Sequence, residues 1–131
     1  MKAQVVVNKP KQKIICTSFG KGRKHDFRLF KESKIRIHPK TKTIEDSGYQ
    51  GIQKIHANSE VPKKKSRKKP LIKEDKKKNR KLSQTRALVE NVIALIKRFK
   101  IVADKYRNRR KRFGLRFNII AAICNWENAL Y

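Results

Sequence analysis

Two carboxylates and the residues spaced around them carry the chemistry this chain has to offer. Asp46 closes the strand-like run Thr41-Lys42-Thr43-Ile44-Glu45 and opens Ser47-Gly48-Tyr49. In an α/β sheet the carboxyl end of a strand is the usual place for a ligand-binding group. Asp-Ser-Gly is also good turn chemistry, the side chain accepting from its own backbone, and on local grounds that reading weighs more. Glu90 stands within Val89-Glu90-Asn91-Val92-Ile93. At about 100° per helical residue, Arg86, Glu90, Ile93 and Lys97 share a stripe about 60° wide. Leu88, Val92, Leu95, Ile96, Phe99 and Val102 form the broader core face beside it. An exposed Arg86–Glu90 pair would contribute roughly a few tenths of a kcal/mol. Yet Glu90 is the only acidic residue between Asp75 and Asp104, in a chain with 10 acidic residues.

Carboxylate oxygens are the ligands of hard divalent cations such as Mg2+ and Mn2+. Two such cations activate an attacking hydroxyl and stabilise the leaving oxygen in phosphodiester cleavage. Asp46 and Glu90 are therefore the candidate metal-binding and catalytic pair. Two carboxylates make a thin cage, and a third on a neighbouring strand would complete it. Nothing upstream of Asp26 is acidic.

The elements that must position this pair are legible as an α/β pattern. The β-branched run Val5-Val6-Val7 predicts a strand over Lys2–Asn8, and a second is expected over 13–19. Asn8-Lys9-Pro10-Lys11 supplies the turn between them, making an antiparallel hairpin. Asp26 is placed to cap a short helix through Phe27, Leu29 and Phe30. A further strand is expected over 41–45, a short helix over 51–56 and a brief strand near 60–64, which Pro62 weakens. A long helix is expected after Pro70, strongest over 83–102. The last helix, over 115–130, is apolar around much of its circumference and so buried or semi-buried. Trp126 on that helix is read as core.

The formal charge of +27 attracts polyanions, which makes nucleic acid the leading partner class. The basic tract Lys63-Lys64-Lys65-Ser66-Arg67-Lys68-Lys69 lies in a basic loop read over 62–81, and Arg107, Arg109, Arg110, Lys111 and Arg112 form a second cluster. Such runs are either solvated faces or grips for phosphate. A non-catalytic coat for nucleic acid, including a ribosomal type, accounts for the charge but leaves the spacing around Glu90 unexplained. Cys16 and Cys124 lack CxxC spacing and read as free thiols suited to a reducing cytoplasm. No apolar stretch reaches the ~20 residues of a membrane span, so no membrane partner is expected.

Four motifs in order make the chain resemble a bacterial DDE-type insertion-sequence transposase of the insertion-sequence-five type. Asp46-Ser47-Gly48-Tyr49 resembles the segment holding that family's second aspartate. Arg86-x3-Glu90-x6-Lys97 is similar to the signature around its catalytic glutamate. Gly22-Arg23-Lys24-His25-Asp26 and Tyr106-Arg107-Asn108-Arg109-Arg110-Lys111-Arg112-Phe113-Gly114 resemble two further family segments. The resemblance implies a ribonuclease-H-like domain, a mixed sheet with flanking helices. It implies Mg2+-dependent DNA cleavage and strand transfer at insertion-sequence ends, in the bacterial cytoplasm at the nucleoid. Arg86 and Lys97 would contact DNA phosphates or position Glu90, and Lys63, Lys64, Lys65 and the cluster Arg107, Arg109, Arg110, Lys111 and Arg112 would contact DNA.

The family's first aspartate lies on a strand ahead of the hairpin, and Met1 falls just before Lys2–Asn8. Residues 1–130 are thus expected to be a partial, incomplete domain with the first strand missing: a remnant, a fragment, or one half of a split frame whose upstream product supplies the aspartate. Loss of a central strand would leave two unpaired sheet edges. The chain alone is then expected to aggregate or fold poorly, and a cooperative thermal transition of the purified monomer would contradict this.

Overall fold

The β-branched run Val5-Val6-Val7 builds the first element, β1 (Lys2–Asn8), which pairs antiparallel with β2 (Lys13–Gly20). The computed structural model describes residues 1–103 and 112–130. The ladder is not regular. Val6 pairs with Cys16 but Val7 pairs with Ile14, so Ile15 is an extra residue on β2 and is 62% exposed. A bulge of this kind takes backbone groups out of the ladder. Asn125 takes them up: its Oδ1 accepts from Ile14 N at 2.8 Å and its Nδ2 donates to Ile14 O at 2.9 Å. Asn128 Nδ2 donates to Lys11 O at 3.0 Å, and Thr17 Oγ1 donates to Asn118 Oδ1.

Those asparagines all lie on the last helix, α4 (Phe113–Leu130). Phe113, Phe117, Ile120, Ala121 and Cys124, spaced to share one side of α4, are buried with Ile14, Val92 and Ile96. Phe19 of β2 meets Phe113 and Phe117 edge-on, with ring centroids 5.6 and 5.3 Å away. A Cβ on Gly114 would stand 3.1 Å from the Phe19 ring, so glycine lets the strand's aromatic approach the helix backbone. The opposite side of α4 faces solvent: Leu115, Ile119, Ile123 and Trp126 are exposed, Trp126 to 66%. The helix is semi-buried as expected, but Trp126 is not core. Its position lies about 100° beyond Asn125, off the side that packs on β2.

Helix α1 (Asp26–Ser33) is capped by His25, whose Nδ1 accepts from Phe27 N at 3.4 Å, and ends on Lys34 in the left-handed region. Asp26, expected as the cap, instead sits in the first turn, where a carboxylate suits the helix dipole. Helix α2 (Lys73–Lys97) stops at Lys97, and Lys100–Ala103 forms a separate short helix, α3. The continuous helix expected to 102 is therefore broken at Arg98 and Phe99. The basic segment 62–81 is not one loop either, since it is helical from Lys73. Val92 and Ile96 occupy the core as the periodicity requires, whereas Leu95 is 39% exposed.

The short strands β3 (Thr43–Ile44) and β4 (Ser59–Glu60) pair in parallel, and between them lie 3-10 turns at Ser47–Tyr49 and Ile52–Lys54. Ile52 is fully buried there, with Leu29, Phe30 and Leu82 nearly so. Buried His56 donates from Nε2 to Thr41 O at 2.7 Å, since a carbonyl only accepts. The described residues thus form an α/β chain whose two sheets have two strands each. They fall into two compact units, Met1–Lys24 with Leu88–Tyr131, and His25–Ala87.

The two sides of α4 give opposed expectations. Phe117→Ala should cost about 3–5 kcal/mol by leaving a cavity, while Trp126→Ala should stay within about 0.5 kcal/mol. Amide hydrogen exchange along α4 is the check: protection should fall in the first variant and persist in the second.

Candidate functional site

Asp46 is held by the turn it opens. Its backbone is extended, at φ −71° and ψ 162°, and its Oδ1 accepts from Ser47 Oγ at 3.0 Å and from Gly48 N at 3.3 Å. Tyr49 N donates back to Asp46 O at 3.0 Å, closing the 3-10 turn. The turn chemistry expected from Asp-Ser-Gly is therefore present. It also fixes the carboxylate's charge. Partial burial pushes the Asp46 carboxyl up, but hydrogen bonds from Ser47 and Gly48 and the positive charge of Arg86 outweigh it and hold it below the ordinary aspartate value. Arg86 is thus brought into electrostatic range of Asp46 within the same unit.

The neighbouring carboxyl behaves oppositely. Glu45 is raised by burial, against weaker opposing effects of Thr43 and His56. Its Oε2 and Thr43 Oγ1 are both buried outside hydrogen-bond geometry. The two adjacent carboxyls are thus shifted in opposite directions, Glu45 up and Asp46 down. Glu45 was not singled out by spacing, because depth sets its character and no motif marks depth.

Tyr49 lies within electrostatic range of both acids. Its ring is half-buried and meets Phe30 edge-on, centroids 6.3 Å apart. Burial, then Asp26, Asp46 and Glu45, push its hydroxyl up to about 12, so at neutral pH it is a hydrogen-bond donor and neither base nor nucleophile. Gly48 makes room for Asp26: a Cβ there would lie 2.5 Å from Asp26 Oδ2. Gly51, at φ +92°, turns the chain out of this corner.

Glu90 and Lys97 are exposed on α2, on the solvent side of a helix whose Val92 and Ile96 are buried. The stripe read from sequence therefore faces water at Glu90 and Lys97, whereas Arg86 and Ile93 are half-buried. Asp46 and Arg86 belong to the unit His25–Ala87, whereas Glu90 and Lys97 belong to the other. Lys63, Lys64 and Lys65 are exposed, as is Arg112. Arg107, Arg109, Arg110 and Lys111 lie outside the described residues. Among the described residues no three His, Cys, Asp or Glu side chains are placed together to hold a metal ion.

Residues 1–125 match the DDE superfamily endonuclease family, and the chain belongs to that family. It is of the DDE insertion-sequence transposase type: over 130 residues it is 51% identical to the Probable transposase for insertion sequence element IS702 of Microchaete diplosiphon, covering 99% of this chain and 47% of that protein. The chain thus spans about half the length of this curated relative. No solved structure matches it.

Acid titration distinguishes the two neighbouring carboxyls. As pH falls, Glu45 should protonate first, which relieves its burial penalty in the folded state. The stabilising contribution of Asp46 is fully present above the ordinary 3.8 and is lost only as pH falls through its lower folded value. Side-chain carbon-13 NMR should show this order, and Arg86→Ala should raise the Asp46 midpoint without exchanging the two.

Proposed function

We propose that this chain contributes Asp46 and Glu90 to the active centre of a transposase that cleaves DNA at insertion-sequence ends and transfers the strand. The observation that carries this reading is the family match over residues 1–125, which encompasses both carboxylates in their motifs. The family's domain is ribonuclease-H-like, and the α/β pattern here is compatible with part of it. The first aspartate of the set would come from residues outside this chain.

The donor chemistry suits a hard divalent cation. Asp46 is ionised at neutral pH and offers oxygen, the ligand type that Mg2+ and Mn2+ take. Bound there, the metal would activate the attacking oxygen and neutralise charge on the phosphate. This chain's own residues have separate tasks. Ser47 and Gly48 hold the Asp46 carboxylate in one orientation. Arg86 adds to the stabilisation of its ionised form, and Tyr49 stays neutral beside it. Lys97, Arg112 and the cations Arg107, Arg109, Arg110 and Lys111 would meet DNA phosphates, as would Lys63, Lys64 and Lys65. The described residues do not close a three-ligand cage, so the chain alone is expected to hold metal weakly and not to cleave.

In the complete transposase, Asp46→Asn and Glu90→Gln should each abolish Mg2+-dependent cleavage of end-containing duplex while DNA binding stays near the parent's. Gel assays of cleavage and binding on the same samples make the comparison. Cleavage surviving either substitution would remove that residue from the centre. Metal-independent, sequence-indifferent binding as the sole activity would instead favour a basic nucleic-acid-binding protein.

A further inference from the structure

We propose that segment 63–72 is a preorganised phosphate-binding loop, and that two residues bearing no positive charge, Asn79 and Asp75, set its affinity by fastening it to α2. The inference rests on the reading of this chain as a DNA-binding one and goes beyond it, because it assigns binding strength to residues that touch no phosphate.

Both ends of the loop are tied to the first turns of α2. Lys63 N donates to Asn79 Oδ1 at 2.9 Å, and Asn79 Nδ2 donates to Lys63 O at 3.0 Å. The amide therefore pairs with the backbone as a neighbouring strand would. One helical turn earlier, Asp75 Oδ2 lies 3.2 Å from Lys63 Nζ and accepts from Ile72 N at 3.4 Å. Midway, Lys69 N donates to Ser66 Oγ at 3.0 Å and Ser66 N to Lys69 O at 3.3 Å, closing a turn. Lys64, Lys65, Arg67, Lys68 and Lys69 stand exposed between these ties, with Lys76, Lys77, Lys78 and Arg80 exposed on the helix that follows.

A tract that only keeps the chain soluble has no use for such fastenings. Like charges spread apart when the backbone is free, and ordering them costs conformational entropy as well as repulsion. Glu74 and Asp75 are the only acids between Lys63 and Arg86, and Asp75 is engaged with Lys63. The concentrated charge is matched by a regular row of phosphates, where each cation releases a condensed counterion. Duplex DNA presents that row irrespective of base sequence. Holding the loop in its binding shape beforehand removes part of the ordering cost from association.

Charge alone and a fastened loop make opposite predictions for one substitution. Asp75→Ala removes a carboxylate, so a mere coat of charge would bind DNA more tightly, whereas a fastened loop would bind less tightly. The experiment is fluorescence anisotropy of a labelled random-sequence duplex, titrated with the full chain at several salt concentrations. Asn79→Ala and Asp75→Ala should each weaken binding on the order of fivefold, and Asn79→Ala should leave the salt slope unchanged. Replacing Lys64, Lys65 and Arg67 together by Ala should flatten the slope by about 0.9 for each phosphate that is no longer neutralised. Amide hydrogen exchange should rise over 63–72 in Asn79→Ala while α2 stays protected, which separates release of the loop from unfolding. Parental affinity in Asn79→Ala, or tighter binding in Asp75→Ala, would overturn the loop proposal with DNA binding intact. Absence of salt-dependent binding in the parent chain would overturn the DNA-binding reading and this inference with it.

Discussion

Charge imbalance is the constraint on which the other features depend. With 37 lysines and arginines against 10 acids, this chain has few carboxylates with which to tie its elements together by ion pairing. Four ion pairs among the described residues lie on the surface: Arg28 with Glu32, Lys42 with Glu60, Lys63 with Asp75, and Arg98 with Glu127 all involve well-exposed cations. Such pairs contribute little. Neutral amides take over that task. Asn125 and Asn128 bind the backbone of the hairpin in one unit. In the other unit Asn58 Nδ2 donates to Lys40 O at 3.1 Å, and Asn79 pairs with Lys63. An amide carries donor and acceptor together and adds no charge to a field that is already one-sided.

Apolar packing supplies the rest, and it is economical. The hairpin and α4 are joined by three phenylalanines and by Ile14, which sits at the bulge and in the core at once. The bulge that frees the Ile14 backbone for Asn125 also turns Ile15 outward. Packing and hydrogen bonding at this point are one arrangement. That is why a seemingly irregular strand is the best-anchored one in its unit.

Elements whose periodicity is set by burial were legible from the residues alone. The hairpin, the short α1, the Val92–Ile96 side of α2 and the semi-buried α4 follow from where apolar residues recur. What escaped is what depends on partners remote in sequence. Trp126 reads as core in an apolar run, yet the side of α4 that packs is chosen by β2. Leu95 fits the predicted face but lies at its margin. Asp26 has the composition of a cap, and His25 occupies that position instead. Asp46 and Glu90 stand out in the sequence because motifs mark them. Glu45, whose carboxyl is the one raised by burial, has no motif. Asn79, set among the cations of 76–81, carries no sequence signal that distinguishes it.

The pairing of asparagine amides with single backbone residues has a consequence for how this surface tolerates change. Asn79 and Asn125 are only half-buried, a depth at which most proteins accept wide variation. Aspartate would set an acceptor against a carbonyl, leucine would leave both backbone groups unmatched, and lysine could serve only the carbonyl. Each position therefore holds a residue as strictly as a packed interior does, through matched polarity and without depth. Drift in this chain should be constrained at places where neither exposure nor hydrophobicity would lead one to look.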